Sequence, residues 1–91
     1  MDKWMLDERS QFLLKKIYDE QYNSGSDMTN LRASKLNWEL KDFAEVVDYL
    51  RIHGLITNID FDGNVYYDTS LDKATITQAG IDNLKALGII D

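Results

Sequence analysis

The sequence predicts a single α+β domain of three to four helices with a two- or three-stranded β ribbon. Three observations carry that expectation. Apolar residues recur at helical spacing in three stretches separated by turn signals. An alternating run starts at Leu55 and ends in Asp62-Gly-Asn64, a hairpin signature, because two-residue primed turns need positive φ. A 44% hydrophobic content spread over 91 residues fills one modest core rather than two.

The first helix is expected over about 7–21. Leu6, Leu13, Leu14, Ile17, Tyr18 and Tyr22 fall on one stripe, and Lys15, Lys16, Asp19 and Glu20 lie mainly outside it. Trp4 and Met5 precede the helix, and either fold back on the core edge or mark a contact surface. Asn23-Ser-Gly-Ser26 supplies the stop. Thr29 or Asn30 caps a short second helix over 30–36. Asn37 suits the turn that follows, since asparagine tolerates positive φ, and Trp38 pins that turn to the core.

The third helix is expected over 39–53, with Phe43, Val47, Leu50 and Gly54 along its inner side and Gly54 as its stop. In the alternating run, Leu55, Thr57, Ile59 and Phe61 share one face, while Asn58, Asp60 and Asp62 share the other. Val65-Tyr-Tyr67 returns, and after a polar excursion Ala74-Thr-Ile76 is a further β-prone piece, so the ribbon spans about 55–76. Thr77 caps a closing helix over 78–87, whose Ile81, Leu84 and Leu87 face the core. Gly80 lets that helix approach the sheet closely.

Absence of cysteine removes disulfides and thiolate metal sites, which fits a reducing, cytoplasmic setting. No apolar run approaches the ~20 residues of a membrane span, and the first residues lack the basic start and long apolar stretch of a secretion signal. Ten basic side chains stand against sixteen acidic ones, a net charge of −6. As a whole the chain thus opposes the phosphate-neutralising composition of a nucleic-acid binder.

The order of helix, short helix, turn, helix, β ribbon and helix resembles the winged helix-turn-helix superfamily, which supplies many bacterial transcription regulators. Two stretches carry the likeness. One is Ala33, Leu36, Asn37 and Trp38 followed by Phe43, Val47, Leu50 and Gly54-Leu-Ile56; the other is Ile76-Thr77 with Gly80 and Leu84. Size and arrangement are most similar to small, functionally unassigned winged-helix proteins of Gram-positive bacteria and their prophages. The chain departs from the family pattern at Arg32, where an apolar residue is usual, and in the greater length of its wing.

In that family the second helix of the motif enters the major groove with its N-terminal and outward side chains. The resemblance carries this role onto Glu39, Leu40, Lys41, Asp42, Glu45, Val46 and Tyr49. There one cation meets three carboxylates, and the wing contains Asp60, Asp62, Asp68 and Asp72 with no basic residue. Such a face repels phosphates. Leu40, Glu45, Val46 and Tyr49 are therefore the candidate protein-contact residues, since apolar and aromatic groups ringed by acids make a partner patch. On this reading Val46→Asp leaves the fold intact and abolishes partner capture. In the other reading of the same residues, Leu40 and Val46 pack beneath the wing. The expected function is a non-catalytic binding module with a regulatory role, engaging a protein partner or a second copy. The alternative is a DNA-binding regulator that grips phosphates through Arg32, Lys35 and Lys41.

No catalytic constellation, cofactor motif or metal site is expected. Asp60-Phe-Asp62-Gly-Asn64 matches the start of a calcium loop, but Val65 and Leu71 stand where its glycine and glutamate belong. His53, the single histidine, sits at a helix end with no nucleophile beside it in sequence. The terminal Ile89-Ile90 either covers the first helix within the monomer or pairs with a second chain.

Overall fold

The computed structural model describes residues 2–22, 31–58, 71 and 74–90. Its first element, α1, spans Lys3–Tyr22. Nothing between Asp2 and Tyr22 breaks a helix, and the Leu6 N–H already bonds the Asp2 carbonyl at 3.0 Å. The helix therefore starts four residues earlier than its apolar stripe suggests, and Trp4 and Met5 lie in its first turn. Leu13, Leu14 and Ile17 are buried as the stripe requires. Tyr22, at the end of it, is 56% exposed and stacks on Tyr18.

Helix α2 is one turn, Ala33–Leu36, shorter than expected, and Arg32 precedes it in extended conformation without a side-chain cap. The proposed caps Thr29 and Asn30 and the stop around Gly25 lie outside the described residues. Asn37 takes the left-handed conformation, φ 60° and ψ 39°, and the Trp38 N–H returns to the Ala33 carbonyl at 2.9 Å. Helix α3, Leu40–Ile52, follows α2 after three residues, Asn37, Trp38 and Glu39, and agrees with expectation to within one residue at each end. Its end is a Schellman motif: the N–H groups of Leu55 and Gly54 bond the Leu50 and Arg51 carbonyls, both at 3.0 Å, with Gly54 at φ 69°.

Strand β1, Ile56–Thr57, pairs antiparallel with β2, Thr75–Ile76, placing Ile56 opposite Ile76 and Thr57 opposite Thr75. The β-prone piece at 74–76 is thus the direct partner of the first strand. In the described part of the alternating run Ile56 is buried and Thr57 exposed, while Ile59, Asp60, Phe61 and Asp62 lie outside the described residues. Ile56 faces in because its partner Ile76 does, and Asn58 at φ 61° then breaks the extended run. The hairpin turn at 62–64, the return at 65–67 and the wing aspartates lie outside the described residues. Leu71 is buried in the core, and its N–H bonds the Leu31 carbonyl at 3.2 Å.

Helix α4, Gln78–Ala86, is capped by Thr77, whose Oγ1 accepts from the Gly80 N–H at 3.0 Å and donates to the Gly54 carbonyl at 2.7 Å. One hydroxyl thereby joins the end of α3 to the start of α4. Leu84 is fully buried, but Leu87, expected inside, is 48% exposed because the helix closes at that residue. Beyond it the chain turns back, and Ile89 and Ile90 pack against the core within the monomer.

The core lies where α1, α3, the sheet and α4 meet, built from Leu13, Leu14, Ile17, Val46, Val47, Leu50, Ile56, Ile76 and Leu84 among others. Gln21 closes it at one edge. Its Oε1 accepts the Ile76 N–H at 2.9 Å, tying the last turn of α1 to β2. No helix among the described residues is long and apolar enough to cross a membrane.

Candidate functional site

Helix α3 presents a different face from the one its sequence suggests. Val46 is completely buried, so it is no contact residue. At 100° per residue it falls only 60° from Phe43 and 40° from Leu50, and those two face α1 and the core. Tyr49 is half-buried, packs on the core and stacks with His53, ring centroids 4.3 Å apart. Leu40, at the start of the helix, is 38% exposed, and Glu45 is half-exposed. Asp42 turns toward α1, where its carboxylate accepts from Arg9 Nη1 at 3.2 Å.

The outward line of α3 is Lys41, Glu45, Asp48 and Ile52, with Arg51 bonded to Asp48 beside it. Two cations balance two carboxylates, and Ile52 leaves 67% of its surface in solvent. Of the DNA-contact candidates, Lys35 and Lys41 are exposed on either side of the Asn37 turn. Neither has a carboxylate within ion-pair distance among the described residues. Arg32 is half-buried, and its Nε is buried with no hydrogen-bond partner among them.

Among the described residues, the densest exposed aromatic surface lies instead on α1, opposite its buried stripe. Trp4, Glu8, Phe12 and Lys16 follow one another at four-residue steps along the helix, a spacing that keeps them on one side. Trp4 is 64% exposed and Phe12 47%. Behind them Trp38 is wedged between Phe12 and Phe43, at centroid distances of 6.0 and 6.2 Å. The Arg9 guanidinium lies 5.2 Å from the Trp38 ring centre and the Lys16 ammonium 5.6 Å from that of Phe12, within cation–π range.

Phe12 stands as a ridge between two hollows. The larger, about 360 Å³, runs from Trp4 to Trp38; the smaller, about 270 Å³, reaches from Phe12 past Lys16 to Ile89. A third hollow of about 160 Å³ lies between α1, α3 and α4, and the buried Ser10 hydroxyl on its wall has no partner among the described residues. His53 is exposed at the end of α3. No group of His, Cys, Asp or Glu able to hold a metal ion occurs among the described residues.

Sequence reasoning missed Phe12 because Leu13 and Leu14 beside it filled the apolar stripe, and an isolated aromatic on the other side reads as incidental. The four-residue interval between Trp4, Glu8, Phe12 and Lys16 was the available signal. Comparison with family models, with curated proteins and with solved structures returns no match to this chain.

Proposed function

We propose that this chain is a non-catalytic winged-helix binding module that engages a protein, in a regulatory role. Among the described residues, four helices around a small antiparallel sheet are compatible with that layout. The observation that carries the reading is the exposed aromatic ridge of Trp4 and Phe12, braced by Trp38 and flanked by hollows. Solvent-exposed aromatic groups beside an arginine have the composition of a protein interface. The contact surface proposed here is centred on α1 and the α2–α3 turn, with Leu40 at its margin.

A photocrosslinking amino acid at position 12 tests this. Protein adducts formed in cells, and lost on Trp4→Asp in the same chain, are expected. Absence of protein adducts above background would remove the reading.

A DNA-binding regulator is the second reading, favoured by Lys35 and Lys41, which stand exposed beside the turn with no ion-pair partner among the described residues. It requires duplex binding that falls steeply with salt and weakens on Lys41→Glu. The balanced charge of the α3 outer face argues against it, because positioning on phosphates needs an excess of cations. Failure to shift any duplex at low salt eliminates this reading.

A further inference from the structure

We infer that the occupant of the α1 ridge is a second copy of this chain, with the two α1 helices antiparallel about a two-fold axis at Phe12. The inference rests on the protein-binding reading above and names its partner. The charge order of the face is self-complementary. Glu8 lies four residues before Phe12 and Lys16 four residues after it. An axis through Phe12 sets Glu8 of each chain against Lys16 of the other. A parallel pairing would oppose Glu8 to Glu8 and Lys16 to Lys16, so the charges select the antiparallel arrangement.

The neighbouring cations do not spoil this pairing. The axis also brings Arg9 toward Lys15, but each is already neutralised within its own chain. Arg9 pairs with Asp42, and Lys15 holds Asp19 at 2.6–2.7 Å. The shape agrees with the charge. A Phe12 ridge between two hollows is a form that a two-fold copy of itself can fill, each ridge seating beside the other. The exposed Trp4 then lies toward the C-terminal half of the opposite α1, where its indole gains cover.

Sedimentation of the whole chain from micromolar to submillimolar concentration tests the assignment, with circular dichroism as the folding control. The wild type is expected to dimerise. Glu8→Lys and Lys16→Glu should each weaken self-association about tenfold or more, because each replaces two attractive contacts by two repulsive ones. Mixing these two single variants should restore a heterodimer, and the double variant Glu8→Lys/Lys16→Glu should restore the homodimer. Phe12→Asp should give a monomer of unchanged helix content.

A wild type that stays monomeric throughout overturns the inference, as does a dimer indifferent to the charge exchanges. The crosslinker at position 12 separates the two levels of the argument. An adduct of twice the chain mass supports the second copy. An adduct of another mass with a monomeric chain overturns it while leaving protein binding standing, and no adduct at all overturns both.

Discussion

Trp38 is the residue on which the two halves of the molecule meet. It follows the left-handed Asn37 directly, and its ring touches Phe12 of α1 and Phe43 of α3 while Arg9 lies against it. The position of that ring depends on the turn before it. Asn37→Ala should destabilise the fold by about 1 kcal/mol, since alanine lacks the short polar side chain by which asparagine tolerates positive φ. Asn37→Gly should be nearly neutral, and paired urea titrations check the contrast; equal losses in both variants would show that the conformation is not what asparagine supplies. Val46 makes the opposite point. Fully buried on α3, it cannot accept a charge, and Val46→Asp should cost on the order of 3–5 kcal/mol. That is a large share of the ~5–15 kcal/mol available to a small domain, so the variant should lose its cooperative thermal transition. A Val46→Asp protein that melts like the wild type would contradict the packing described here.

The elements are short, and their junctions hold them. Helix α4 approaches the sheet at Gly80, where an added β-carbon would collide with the Leu55 carbonyl and lie 2.6 Å from Cγ1 of Ile76. Gly80→Ala therefore sets a helix-propensity gain of ~1 kcal/mol against an overpacking cost of about 1–3 kcal/mol. A backbone carbonyl cannot swing aside as a side chain can, so the net effect should be destabilising. The urea midpoint should fall at unchanged slope, and a raised midpoint would refute the close approach. The same junction depends on the Thr77 hydroxyl, which bonds both Gly54 and Gly80. Thr77→Ala should cost about 1–2 kcal/mol and Thr77→Ser much less, because serine keeps the hydroxyl. Amide exchange in the first turn of α4 reads the difference; equal exchange in both variants would leave the cap without a stabilising part.

For the whole molecule, charge works in two directions. A net charge of −6 on so small a chain opposes compaction, and salt screens that repulsion. Melting at dilute protein concentration should therefore rise by a few degrees between low and physiological ionic strength. A melting temperature that falls with salt would show that intramolecular ion pairs dominate, contrary to the small worth of exposed pairs. The sequence alone determined the features that depend on near neighbours. Helix periodicity, the Asn37 turn, the Gly54 stop and the Thr77 cap each involve groups a few residues apart. The chain therefore states them locally. Tertiary structure alone decided which side of α3 is buried, that Ile56 rather than Thr57 faces in, and that Phe12 is left outside. The first two depend on a surface supplied by a distant segment, α1 packing on α3 and Ile76 pairing with Ile56, and Phe12 stays 47% exposed because Trp38 covers only one side of it. Periodicity fixes where residues stand around a helix, but the direction of inward is set only when another element arrives to exclude water.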